Sequence, residues 1–234
     1  MSETLLRKEA AGQSENTPKR TVLIYGDSNT WGFIPGSNKM RYAPDVRWPG
    51  VFAKSLGASW IVVDAALCGR TTAFDDPLSP PFVDRNGLKL FGAVLESHMP
   101  LDLVIIFLGV NDLKKRFSLH AVDIASGVEL LAGVALSPVF GPAGSGKPPA
   151  VMIICPPPIQ EVPEAFGATF SGGAATSQGL RQAFERMSEK IGVPVIYADD
   201  FVCGDPADGI HFSAAHHGIL GLEAAKRVKT LFPG

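Results

Sequence analysis

Five short apolar runs alternating with stretches of helical periodicity predict an α/β fold. In it a five-stranded parallel sheet carries helices on both faces, giving a three-layer α/β/α sandwich. Three observations carry this expectation. The runs at residues 21–25, 60–63, 103–108, 151–155 and 193–197 are brief and rich in β-branched residues, as strands buried on both faces should be. The segments between them place apolar residues three and four apart, the spacing of a helix with one buried face. Apolar residues make up 46% of the chain and charged ones 19%, the latter below the usual ~25%. That composition can fill a large core.

Taken in order, strand 1 (21–25) runs into the polar segment Gly26-Asp27-Ser28-Asn29. Residues 48–56 form a short helix candidate, and strand 2 (60–63) follows. Leu88, Phe91, Leu95 and Met99 share one helix face and lead to strand 3 (103–108). Ile124, Val128, Leu131 and Ala135 do the same before strand 4 (151–155). Leu180, Phe184, Met187 and Ile191 precede strand 5 (193–197), and Leu220, Ala224, Val228 and Leu231 mark a final helix. Five strands in this alternation suit the order 2-1-3-4-5. Long connections at 33–47, 71–81 and 156–177 follow strands 1, 2 and 4. They therefore emerge at the carboxyl edge of the sheet, where ligands of open parallel sheets sit. The Gly/Pro stretch 141–149 precedes strand 4 and belongs to the opposite edge.

A chain of 234 residues suits one domain, read here as residues 21–234, that needs no disulfide or metal staple. Residues 1–20 read as a polar, poorly ordered tail, without the apolar core of a signal peptide. The net charge of −2 leaves no basic footprint, which argues against nucleic acid as a partner. The longest apolar run, 103–110, spans eight residues, against the ~20 of a membrane helix. Cys68, Cys155 and Cys203 are odd in number and widely spaced. They form neither a disulfide framework nor a CxxC pair, which fits a reducing, cytoplasmic setting.

Four polar clusters stand immediately after strands 1, 2, 3 and 5: Gly26-Asp27-Ser28, Cys68-Gly69-Arg70, Gly109-Val110-Asn111-Asp112 and Asp208-Gly209-Ile210-His211. Each alone is ordinary turn and cap chemistry, but together they line one edge of one sheet. A serine hydroxyl is a weak nucleophile and needs a base. His211 can serve Ser28 in that role, and Asp208, three residues earlier on one face of a turn, can orient the imidazole. A developing oxyanion needs donors, for which the Ser28 and Gly69 amides and the Asn111 side chain are candidates.

The blocks GDSNTWG, CGRTT, GVND and DGIH resemble the SGNH hydrolases of the GDSL-type esterase superfamily. RYAPDVRWPGV and DGIHF resemble its aryl esterase/acyltransferase branch. The resemblance implies a Ser28–His211–Asp208 triad and an oxyanion hole from Ser28, Gly69 and Asn111, with neither metal nor cofactor. It also implies hydrolysis of short-chain and aryl esters through an acyl-enzyme, acyl transfer to alcohols or peroxide, and a homo-oligomer. Asn29 replaces the Leu of the name-giving motif, and Cys68 stands where a smaller residue is expected. Trp31, three residues after Ser28, is expected to line the crevice with Cys68 and Phe166; Phe33, Ile34, Phe74 and Phe82 add apolar wall candidates.

Other features carry less. Gly141-x4-Gly146-Lys147 lacks the Ser/Thr of a phosphate loop and precedes a strand. Asp112 is expected to cap the helix after it. Asp75-Asp76 reads as a loop anchor, His216-His217 as solvated or interfacial, and Arg41, Arg47 and Arg70 as ion-pair donors. Two other readings of the chain are a carbohydrate O-acetyl esterase and, from another class, a non-catalytic flavodoxin-like binding domain. The Asp208/His211 pair argues against the latter, which has no need of a base beside a nucleophile.

Overall fold

Parallel pairing runs across the whole sheet in the order β2-β1-β3-β4-β5, as the alternation predicts. The structure is a computed structural model and describes residues 19–80 and 82–233; the expected tail falls almost wholly outside that range. Strand β1 (Arg20–Gly26) lies at the centre of the site-bearing half, between β2 (Trp60–Ala66) and β3 (Leu103–Phe107). Strand β4 (Ala150–Cys155) pairs with β3, and β5 (Val195–Tyr197) closes the far edge. Two strand bounds differ from the sequence reading by more than one residue, each for a local reason. β2 continues past Asp64 because its pairing with β1 runs on to Gly26 opposite Ala66, and Arg47 meets the Asp64 carboxylate at 2.7 Å. β5 starts only after Pro194, which has no amide to donate.

The helices are α1 (Ser28–Trp31), α2 (Trp48–Leu56), α3 (Gly87–His98), α4 (Ala121–Ala135), α5 (Pro163–Phe166), α6 (Gly173–Ser177), α7 (Leu180–Ile191) and α8 (Ala214–Leu231). The short α5 and α6 lie within the connection read from sequence as one long loop. Side chains alternate across each strand, so the sheet has two cores. Leu23, Tyr25, Val104 and Ile106 face α3, α4 and α7, whereas Val22, Ile24, Ile105 and Phe107 face α2 and α8. Each fully buried side chain of this kind contributes about 1.5–3 kcal/mol. Gly221 lets α8 lie against α2: a Cβ there would approach the Trp48 carbonyl oxygen to 2.7 Å. The layers hold the carboxyl ends of β1, β2 and β3 in register, and the segment before α8 returns across them.

Candidate active site

At the end of β1, Asp27 leaves extended geometry and its carboxylate accepts the Asn29 amide at 2.9 Å, capping α1. Ser28 therefore stands at the first helical position, 7% exposed. Its hydroxyl lies 2.9 Å from His211 Nε2, and His211 Nδ1 lies 2.8 Å from Asp208 Oδ2. The other Asp208 oxygen accepts the Ile210 and His211 amides at 3.0 and 2.9 Å. Burial alone would raise the Asp208 carboxyl, but the His211 hydrogen bond and charge, with the two amides, outweigh it and hold it down to about 2. The aspartate is thus a fixed anion aimed at one imidazole nitrogen. Asn29, the departure from the motif, donates to the Ile210 carbonyl at 3.2 Å and ties the serine turn to the histidine turn. The Phe33 ring stacks on the imidazole at 4.2 Å, with Phe166 at 5.8 Å.

The three expected oxyanion donors meet in one cavity of about 220 Å³, lined by Ser28, Gly69, Asn111 and His211. Among the described residues the Ser28 and Gly69 amides have no hydrogen-bond partner. Gly69 holds φ +79°, a left-handed conformation that a side chain would strain. The Asn111 amide has Asp27 Oδ2 behind it at 3.5 Å. Burial pushes the Asp27 carboxyl up to about 6, against the pull of the Asn29 amide and His211.

The connection after β2 is anchored from several sides. Arg70 donates to the Gly26 and Ala65 carbonyls at 2.7 and 2.6 Å, bonding backbone rather than a carboxylate as the sequence reading expected. Arg41 and Arg47 do pair with a carboxylate, that of Asp64. Asp112 does not cap a helix. It is buried and accepts both the amide and hydroxyl of Thr72, at 3.0 and 2.6 Å, because the turn after β3 points it at the neighbouring loop. Burial raises its carboxyl to about 7 despite those bonds. Asp76 anchors Lys114 and Arg116, each at 2.9 Å, as its loop-anchor reading implied; Asp75 holds Lys89.

Cys68 and Phe166 line the cavity as expected, but Trp31 does not. α1 ends after one turn at Gly32, and the indole lies under the Arg41 guanidinium, 4.7 Å from its ring centre. Phe33 takes its place on the wall, while Ile34, Phe74 and Phe82 are absent from it. His217 is fully buried and its Nδ1 accepts the Trp48 amide at 3.3 Å; of the pair only His216 reaches solvent, half-buried, since adjacent helix residues point apart. Lys114, Val110, Thr169, Phe170 and Ile210 complete the wall and were not read from sequence. Lys114 was within reach of it, since three residues after Asn111 means the same side of a tight turn. A larger cavity of about 420 Å³ between α4 and α7, with Glu129, Arg186 and Lys190 on its rim, contains none of the predicted site residues.

The profile of the GDSL-like lipase/acylhydrolase family matches residues 24–219. Among solved structures, the aryl esterase of M. smegmatis is 38% identical over 91% of this chain and 100% of its own, with a TM-score of 0.84. A carbohydrate acetylesterase from Sinorhizobium meliloti is also 38% identical, over 92% of this chain and 100% of its own, with a TM-score of 0.85. No match was found among curated proteins. The profile runs from β1 into α8 and takes in the serine, glycine, asparagine and histidine turns at the sheet edge, so the chain belongs to the GDSL-like lipase/acylhydrolase family and is a carboxylic ester hydrolase.

Proposed function

We propose that Ser28 is the nucleophile of a serine esterase, His211 its general base and Asp208 the anion that orients the imidazole. The observation that carries this reading is the continuous chain Ser28 Oγ–His211–Asp208, with links of 2.9 and 2.8 Å. In the first half-reaction His211 Nε2 takes the Ser28 proton as the oxygen bonds to the ester carbonyl carbon. The carbonyl oxygen becomes an oxyanion received by the Ser28 and Gly69 amides and the Asn111 side chain. Collapse expels the alcohol, which leaves with the proton from His211. Water or an alcohol, deprotonated by the same nitrogen, then releases the acyl group from Ser28. The Phe33 and Phe166 rings beside the imidazole lower the local dielectric, which strengthens each of these charge contacts.

The preferred substrate in this reading is an aryl or alkyl ester of a small acid. Cys68 beside the Gly69 amide narrows the acyl end, and Phe33, Phe166 and Phe170 offer apolar surface to a leaving group. An apolar crevice also admits alcohols or peroxide in competition with water, giving transfer products. Carbohydrate acetyl esters form the second reading, favoured by equal identity to the S. meliloti enzyme. The free cysteines support a reducing, cytoplasmic setting; among the described residues no helix is long and apolar enough to cross a membrane.

Ser28→Ala and His211→Ala should each lower turnover of p-nitrophenyl acetate by orders of magnitude, and the double variant little further, because the residues act as a unit. A serine-directed phosphonate should label Ser28 once per chain. Near-full activity of Ser28→Ala would remove the proposal. Chain-length series of p-nitrophenyl esters then separate small from long acyl groups, since each buried methylene adds about 0.8 kcal/mol where there is room for it.

A further inference from the structure

Among the described residues that line the Ser28 cavity, Lys114 is the only Asp, Glu, Lys or Arg. The acyl-transfer chemistry makes no use of it. Its side chain is 11% exposed, so its ammonium has given up most of its hydration. Among the described residues it makes one hydrogen bond, to Asp76 Oδ2 at 2.9 Å, although an ammonium carries three donors. Asp76 is itself shared: Arg116 reaches it at 2.9 and 3.1 Å. Two cations on one carboxylate leave a surplus positive charge at the cavity wall. The buried carboxyls of Asp27 and Asp112 lie within electrostatic reach of Lys114, and burial favours the uncharged form of both. Anchoring the loop does not require Lys114, because Arg116 already holds Asp76.

We infer that Lys114 is a specificity-determining residue that binds an acidic group of the ester, a carboxylate or similar oxyanion remote from the reacting carbonyl. A desolvated ammonium with open donors gains more from an anion than from water, and such charge-assisted bonds are about twice as strong as neutral ones. The acid can belong to the acyl part or to the leaving group. Either way the anion enters the wall beside Asn111, one tight turn before Lys114. This inference rests on the ester-hydrolase reading above.

The test compares the full chain with Lys114→Met, which leaves Arg116 on Asp76, by titration of released acid on two matched pairs. Ethyl hydrogen succinate against ethyl pentanoate places the acid on the acyl side; 4-acetoxybenzoate against its methyl ester places it on the leaving group. In one pair the acidic-to-neutral ratio of kcat/KM should fall by about tenfold or more, the size of one hydrogen bond to a charged group, and Lys114→Arg should retain most of it. The responding pair identifies the side of the substrate. A smaller change in both pairs overturns the inference and leaves Lys114 a loop anchor. Should Lys114→Met fail to fold, the wild-type chain decides: succinate and 4-hydroxybenzoate must inhibit p-nitrophenyl acetate hydrolysis more strongly than their amides, one of them at least, and equal inhibition overturns the inference. A wild-type chain that hydrolyses none of the neutral esters sinks the ester-hydrolase reading instead.

Discussion

Asn111 reaches the cavity wall with an amide whose nearest protein acceptor, Asp27 Oδ2, is 3.5 Å away, too long to satisfy it. An amide held in place but weakly engaged is suited to a charge that exists only in the transition state. Asn111→Ala should therefore cost about 10²–10³ in turnover with a smaller change in KM, read from steady-state kinetics on p-nitrophenyl acetate; unchanged turnover would reduce Asn111 to a turn residue. This position, with Ser28, Gly69, Asp208 and His211, was legible because each sits in a short polar turn directly after a strand. Trp31 was misread at the same scale. Its spacing from Ser28 was right for a shared helix face, but a one-turn helix and the Arg41 guanidinium decide where the indole goes. His217 was misread because a histidine that accepts one backbone amide in a core looks, in sequence, like any other histidine.

At the scale of elements, periodicity located all five strands and the five long helices, since burial on one or two faces writes itself into spacing. It said nothing of how the loops are tied. Thr72 and Asp112 lie forty positions apart, on the connections after β2 and β3, and no local pattern links them. Their buried contacts at 3.0 and 2.6 Å hold the loop that carries Gly69. Asp112→Ala leaves the Thr72 amide and hydroxyl without their acceptor, at a cost of about 1–3 kcal/mol. A urea melt should show that loss, while turnover falls less than in Asn111→Ala because Gly69 is also held through its neighbour Arg70. An unchanged melt would mean that the two loops are tied elsewhere.

The whole molecule feels its buried ionisable groups through pH. Burial lowers His217 from 6.5 to about 4; the unfolded chain then binds the proton more readily, so this contribution is present above pH 6.5 and lost as pH falls toward 4. The shift corresponds to at most about 3 kcal/mol. Asp27 and Asp112 act oppositely: raised to about 6 and 7, they favour the folded state below pH 3.8 and lose that contribution as pH rises through those values. His217→Asn should therefore narrow its stability gap to the wild type as pH drops from 7 to 4 in denaturant titrations; a constant gap would contradict the assignment. Assembly is the other property of the whole. We propose a homo-oligomer that joins through the loop after β2, where Leu78 and Phe82 are 73% and 85% exposed. Phe82 was expected to wall the crevice of its own chain, yet it points to solvent on the same loop whose Asp76 anchors Lys114. Large apolar side chains exposed on one connection commonly mark an interaction surface, and a second copy that covers them would help to wall the site. Sedimentation at micromolar concentration should find species well above the 24.8 kDa of one chain, and Leu78→Asp with Phe82→Asp should shift them toward monomer with a loss of activity. A wild-type chain that sediments as a fully active monomer would overturn the assembly, and with it the idea that a neighbour helps to wall the site.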